Sequence, residues 1–132
     1  MADLKYKDIT EKIIGASFKV HKFSGNACLP VMQGFQEVIY KRALAWEMAQ
    51  ADLDFARETE QEIFYKELPQ PIGTRRADFV VEGKVLVELK AVIQLEDVHL
   101  AQIINYLKAY RLQVGLLINF GSKSLTFKRL VL

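Results

Sequence analysis

The sequence has little of what disulfide-bonded, cysteine-ligated or membrane-spanning proteins require. The single cysteine, Cys28, cannot form an internal disulfide, which excludes the small secreted class held together by disulfides, and zinc sites built on cysteine pairs are excluded with it. The longest apolar runs, such as residues 114–118, are far shorter than the ~20 residues that cross a bilayer. The first residues are charged and lack the apolar stretch of a signal peptide. We therefore expect a protein of a reducing, cytoplasmic compartment without membrane contact.

An excess of charge of one sign is also missing. Lys and Arg number 18 against 16 Asp and Glu, which gives a formal charge of +2, so any contact with a polyanion has to rest on local residues. Only three prolines and seven glycines are present, and no linker, repeat or low-complexity tract interrupts the chain. Because 132 residues bury enough surface for one core, we expect a single domain over residues 1–132.

Apolar spacing predicts the order of the elements. Helical periodicity runs through residues 9–20, resumes after Pro30 to about Asp52, and returns in residues 97–112. Strand patterns fall in residues 61–67, in a hairpin over 76–90, and in two short segments at 114–120 and 124–131. The order is typical of an α/β (α+β) domain in which a helix crosses over within a mixed sheet.

The predicted hairpin carries three ionisable residues, Asp78, Glu88 and Lys90. Strand side chains alternate between faces, so Glu88 and Lys90 point the same way. If the residue numbers of each cross-strand pair add to an even sum, Asp78 lies on the same face as Glu88 and Lys90, and the opposite face is wholly apolar. An odd sum would place polar and apolar side chains together on both faces. We therefore predict the even register, formed by a three-residue loop of residues 81–83 with a left-handed Gly83 and a bulge.

Two carboxylates on one face beside a lysine favour a hard divalent cation such as Mg²⁺, which prefers oxygen ligands. A carboxylate within the apolar strand that contains Glu88 is costly unless it is partnered. A buried ion pair of Lys90 with Asp78 or Glu88 would provide such a partner without a metal. Alternatively, the three residues are ordinary polar positions on an exposed strand face. The residues alone leave these alternatives open.

Three motifs in order resemble a known family. GFQEVIY, residues 34–40, is similar to the pattern of the GxxExxY proteins, a branch of the PD-(D/E)XK nuclease superfamily. RRADFVVEGKVLVELKA, residues 75–91, resembles the active-site hairpin of that superfamily, and QIINY, residues 102–106, resembles the Q-x-x-x-Y motif of its RecB-like nucleases. The resemblance spans residues 9–131 and implies an αβββαβ core with a mixed central sheet flanked by helices.

The resemblance also implies a metal site. Asp78 and Glu88 would bind Mg²⁺ or Mn²⁺, with the Leu89 carbonyl as a third ligand. Lys90 would orient or activate the attacking water. Glu37, from the second helix, would complete the acidic site directly or through a metal-bound water.

Further residues would face the substrate. By resemblance, Gln102 and Tyr106 would contact a substrate phosphate or support the metal ligands. Arg75 and Arg76 precede Asp78 and are placed to touch backbone phosphates, as are two basic residues of the later helix, Lys108 and Arg111. Solvated surface charges are the alternative for all four basic residues.

One departure from the family concerns the loop before Gly34. Residues 27–33 resemble a seven-residue insertion after the segment that begins at His21, and they could change how Glu37 enters the site. His21 is interpreted either as a metal ligand or as an ordinary histidine at a helix end.

Two functions follow from these observations. The first is a metal-dependent DNA phosphodiesterase, that is, a nuclease in which water attacks a phosphodiester. The second is a catalytically weak or inactive nuclease-fold module that binds nucleic acid or a protein partner, since fold alone does not establish activity. A homo-oligomer would help so small a nuclease to grip DNA.

Overall fold

The computed structural model describes residues 4–24, 36–58 and 60–132. Three helices and seven strands lie in these ranges. The helices are α1 (Lys7–Ser24), α2 (Glu37–Gln50) and α3 (Asp97–Tyr110). The strands are β1 (Phe55–Arg57), β2 (Glu60–Ile63), β3 (Gly73–Arg76), β4 (Phe79–Val81), β5 (Val85–Lys90), β6 (Val114–Asn119) and β7 (Thr126–Val131).

Five of the strands form one mixed sheet in the order β1-β4-β5-β6-β7. The β5–β6 pair is parallel and the other pairs are antiparallel. A parallel pair cannot be closed by a tight turn, and α3 supplies the crossover between β5 and β6. Strands β2 and β3 pair with each other in a separate two-stranded sheet.

The two faces of the main sheet bury different side chains. Helices α1 and α2 cover the larger core, to which β5 contributes Val85, Val87 and Leu89. On the opposite face α3 packs over a smaller cluster, to which β5 contributes Leu86. Because side chains alternate along a strand, Glu88, two residues after Leu86, lies on the α3 face as well.

The turn between β4 and β5 sets this register. Val81 pairs with Val85 and Phe79 with Val87, so partner numbers add to an even sum, as predicted. The loop is one residue further along than predicted, at residues 82–84. Lys84 N–H donates to the Val81 carbonyl, and Glu82 joins Gly83 at positive φ, 54° and 65°, the pattern of a type I′ turn followed by one extra residue.

The predicted α+β fold, with a mixed sheet flanked by helices, is confirmed, but one strand is placed differently. The strand predicted over 61–67 is shorter, ends at Ile63 and belongs to the separate β2–β3 pair. The edge position beside β4 is taken by β1, three residues that the sequence pattern does not predict as a strand. Local β propensity does not specify which strand becomes the partner.

The second helix begins at Glu37 among the described residues. Cys28, the apparent insertion at residues 27–33 and the start of the GxxExxY motif lie outside the described residues. None of the helices described is long and apolar enough to span a membrane.

Candidate active site

Asp78 and Glu88, the acidic pair, lie side by side where the β4–β5 ladder ends. Asp78 directly precedes β4, and continuing the register places it opposite Glu88. Asp78 is 7% exposed and Glu88 5%. Asp78 N–H donates to Glu88 Oε1 at 2.9 Å, and Leu89 N–H donates to Asp78 Oδ2 at 2.7 Å. Each carboxylate is thus oriented by a backbone N–H of the other segment.

The electrostatics of the pair favour a cation. Burial and the charge of Asp78 raise the pKa of Glu88 to about 8, against the opposing effects of its backbone hydrogen bond, Lys90 and Lys41. Two buried carboxylates this close do not both ionise readily. Near neutral pH the Glu88 carboxyl therefore retains its proton in the metal-free protein, even with Lys90 and Lys41 nearby.

Lys41 of α2 forms an ion pair with Asp78, although no sequence motif singles it out. Its Nζ lies 2.7 Å from Asp78 Oδ1 and 3.9 Å from Glu58 Oε1. Burial acts to lower the pKa of Lys41, but the hydrogen bond to Asp78 and the charges of Asp78, Glu58 and Glu37 together outweigh it and raise that pKa. The available signal was its spacing, four residues after Glu37 and so on the same helix face.

Lys90 lies at the end of β5, partly exposed, on the same face as Glu88. Its charge acts to lower the pKa of Glu88. Beyond it, the chain is held by Asn119. Val92 N–H donates to Asn119 Oδ1 at 3.0 Å, Asn119 Nδ2 donates to the Val92 carbonyl at 2.8 Å, and Phe120 N–H donates to the Lys90 carbonyl. These bonds fix the segment that follows Lys90.

Helix α3 brings Tyr106 toward the acidic pair. Gln102 Nε2 donates to the Tyr106 hydroxyl at 3.3 Å. Burial and the charges of Glu88 and Asp78 raise the pKa of Tyr106, while Gln102 and Arg75 oppose the shift. The Arg75 guanidinium lies 5.7 Å from the centre of the Tyr106 ring. Tyr106 therefore lies within electrostatic reach of the acidic pair, and Arg75 contacts Tyr106.

A second tyrosine of α3, Tyr110, was missed by the sequence reasoning. Its hydroxyl accepts a hydrogen bond from Ala77 N–H at 3.0 Å, directly before Asp78. Tyr110 follows Tyr106 by four residues and so lies on the same helix face. It holds the backbone from which Asp78 projects.

Two other predicted site residues, Arg76 and Glu37, lie on β3 and at the start of α2. Arg76 makes a two-nitrogen contact with Glu60 Oε2, at 2.9 and 3.1 Å, across the exposed β2–β3 pair. Among the described residues, no group of three or more His, Cys, Asp and Glu side chains is placed to hold a metal ion. Glu37 lies at the start of α2, one helical turn before Lys41, and its charge acts to raise the pKa of that lysine.

The two histidines have structural partners. His21 Nε2 lies 3.0 Å from the Ser122 carbonyl, which ties the end of α1 to the loop before β7. Glu96 N–H donates to His99 Nδ1 at 2.9 Å, and the Glu96 side chain accepts from the third residue of α3, forming a capping box. His99 thereby stabilises the beginning of the helix that carries Gln102 and Tyr106.

The fold and the acidic hairpin define a nuclease-like class, and comparison with known proteins identifies the family. A family model described as the PD-(D/E)XK nuclease superfamily matches residues 7–130. The chain belongs to this superfamily.

A solved structure has a similar fold. The protein of the "Crystal structure of SSO0001" is 15% identical, with a TM-score of 0.54 over 72% of this chain. The match covers 49% of that protein, so the chain spans about half its length. No curated protein matches the sequence.

Proposed function

We propose that this protein is a metal-dependent DNA phosphodiesterase of the GxxExxY, RecB-like branch of its superfamily. The observation that carries the proposal is the acidic pair. Each of its two buried carboxylates accepts a backbone N–H of the other segment. Burial and the charge of Asp78 raise the pKa of Glu88 to about 8. Burying two such groups together is costly for folding alone, which supports a use for them.

The donor chemistry of the pair fits Mg²⁺ or Mn²⁺. Both ions take oxygen ligands, and Mg²⁺ sites commonly use one or two carboxylates and retain several waters. Asp78 and Glu88 would hold the ion. A divalent ion in such a site supplies Lewis acidity and lowers the pKa of a bound water.

The backbone at Leu89 supports its carbonyl as a third ligand. Leu89 N–H points toward Asp78, to which it donates, and the N–H and C=O of one residue in an antiparallel ladder point toward the same neighbour. The register places Ala77 opposite Leu89, but Ala77 N–H donates to the Tyr110 hydroxyl instead. The Leu89 carbonyl thus points to the side of β5 on which Asp78 lies, where it would complete the ligand set.

The remaining residues would act on the water and the phosphate. Lys90, on the Glu88 face, would orient the attacking water and stabilise negative charge on the phosphate. Gln102 and Arg75, which both contact Tyr106, would position the phosphate together with it. Arg76 would contact the DNA backbone only after releasing Glu60.

Glu37 would influence the site through Lys41. The Glu37 charge contributes to the raised pKa of Lys41, and Lys41 contacts Asp78. We further propose a cytoplasmic location, and homo-oligomerisation as a way to extend the DNA-binding surface.

Cleavage of a DNA panel tests the proposal. Single-stranded, linear double-stranded and branched DNA are incubated with Mg²⁺ or Mn²⁺. We expect cleavage by the wild type, and at least a roughly 100-fold loss in Lys90→Ala with metal binding retained. Lys84→Ala removes the same charge from the other end of the hairpin and should cleave normally.

Two results would contradict the nuclease proposal. One is equal cleavage by Lys90→Ala and the wild type. The other is metal binding without cleavage of any DNA, which would favour the binding module, and electrophoretic mobility shifts with the same panel would then test DNA binding.

A further inference from the structure

We propose that Lys41 is the resident cation of the metal-free site: a divalent ion displaces its ammonium group from Asp78, and the released ammonium then contacts a substrate phosphate. This inference rests on the proposed function, because it assumes that the acidic pair binds metal. It adds to the site a phosphate-contacting residue that comes from α2 and not from the hairpin.

The contact geometry places Lys41 in competition with a metal ion. Its Nζ lies 2.7 Å from Asp78 Oδ1, the distance of a charge-assisted hydrogen bond. The other oxygen, Oδ2, already accepts the Leu89 N–H. An ion on Asp78 would therefore meet the oxygen that Lys41 holds, and two cations on one oxygen repel each other strongly.

The surroundings of Lys41 offer a place for the displaced side chain. Its side chain is 24% exposed and opens into a cleft of about 240 Å³ between α2, β1 and the start of β4. The cleft is lined by Val38, Lys41, Arg42, Arg57, Glu58, Asp78 and Phe79. A lysine has a flexible four-carbon stem, so its ammonium can move within the cleft while its backbone stays in the helix.

The charges of the cleft point to a phosphate. Arg42 and Arg57 line it together with Lys41, against Glu58 and Asp78. Once a divalent ion neutralises Asp78, the three basic groups exceed the remaining carboxylate. The excess positive charge then lies next to the acidic pair, where a backbone phosphate of a bound DNA strand would be stabilised.

Metal affinity provides the first test. Mn²⁺ is titrated calorimetrically into the wild type, Lys41→Met and Lys41→Gln. We expect about tenfold tighter binding in both variants, the equivalent of one charge-assisted hydrogen bond that the ion no longer has to replace. Lys7→Met is the matched control, because Lys7 pairs with Glu11 on α1 and its loss should leave the affinity unchanged.

The reactivity of Lys41 in the wild-type protein provides the second test and needs no variant to fold. Acetylation of individual lysines is followed by mass spectrometry with and without Mg²⁺. We expect Lys41 to react several-fold faster with Mg²⁺, since its ammonium is released from Asp78, while Lys7 keeps its rate. An unchanged rate for Lys41 would overturn the displacement.

The outcomes separate this inference from the proposed function. If the wild type binds Mn²⁺, Asp78→Asn weakens that binding, and both Lys41 variants equal the wild type, the role of Lys41 is wrong while the metal site stands. If the wild type binds no Mn²⁺, the metal site and the displacement of Lys41 are both wrong.

Discussion

Glu88 connects the chemistry of the site to the stability of the chain. Its carboxyl is held in the folded protein with a pKa of about 8, whereas an unfolded chain gives it the ordinary value of about 4.3. Between these values the folded state binds a proton that the unfolded state has lost. The contribution of Glu88 to stability is therefore full below about pH 4.3 and is lost as the pH rises toward and through 8.

We expect Glu88→Gln to remove this pH dependence. The amide keeps an oxygen that can accept the Asp78 N–H but carries no charge, so metal-free stability should fall less steeply above about pH 5 than in the wild type. The difference is at most about 1.4 kcal/mol per pH unit. Urea unfolding in EDTA from about pH 5 to about pH 8.5 measures it.

Exposed Glu62 provides the matched control for that experiment. Glu62→Gln removes the same charge from the β2–β3 pair and should retain the wild-type slope. Parallel curves for the wild type and Glu88→Gln would show that Glu88 is not protonated in the folded protein.

At the scale of single elements, the β4–β5 turn aligns the acidic pair. Gly83 has φ of 65°, a conformation that costs other residues steric strain. Glu82 also has positive φ, and it is held there by two bonds: Glu82 N–H donates to the Asp54 carbonyl at 2.7 Å, and Asp54 N–H donates to Glu82 Oε1. The register of the carboxylates thus depends on contacts with the residue before β1.

We expect Gly83→Ala to lower the free energy of unfolding by about 1 kcal/mol, because alanine has to adopt the left-handed conformation. Gly73→Ala is the control: the new methyl would meet no atom within 4 Å, and Gly73 does not have positive φ. Urea unfolding compares the two variants, and equal losses would contradict the role of the turn.

The hairpin could be predicted from the sequence because two requirements agreed on one register. Apolar alternation and the need to bring Asp78 beside Glu88 both required an even sum, and a one-residue slip would have broken both. The position of the loop was missed by one residue, since the positive φ of Glu82 depends on Asp54, far away along the chain. The same limit applies to Lys41: its spacing from Glu37 indicates a shared helix face, but its contact with Asp78 depends on the docking of α2.

At the scale of the whole molecule, helices on the two faces of the sheet contribute to one site. Lys41 of α2 reaches Asp78, and Tyr106 of α3 lies within electrostatic reach of Glu88. An ion bound to the acidic pair would therefore stabilise the packing of the whole folded chain, because the unfolded chain has no such site.

We expect Mn²⁺ to raise the melting temperature of the wild type, with a stabilisation of about 2.7 kcal/mol at a concentration roughly 100 times its Kd. At a fixed Mn²⁺ concentration the effect should be larger at about pH 8 than at about pH 6, because the ion has to displace the proton held by Glu88. Thermal unfolding with Mn²⁺ or EDTA at both pH values measures it. A shift that is absent, or equal at the two pH values, would contradict the proton-linked site.

The reciprocal hydrogen bonds of the acidic pair have a consequence for how such a sequence can evolve. Glu88 accepts from Asp78 N–H and Asp78 accepts from Leu89 N–H, so the carboxylates continue the strand pairing where the backbone ladder stops. A homologue that had lost catalytic activity would still need these two hydrogen-bond acceptors to hold the ends of β4 and β5 together. Asparagine and glutamine supply them without the charge. An inactive homologue should therefore carry asparagine or glutamine at these two positions. An alanine at either position would require a different hydrogen-bonding arrangement at the end of the strands.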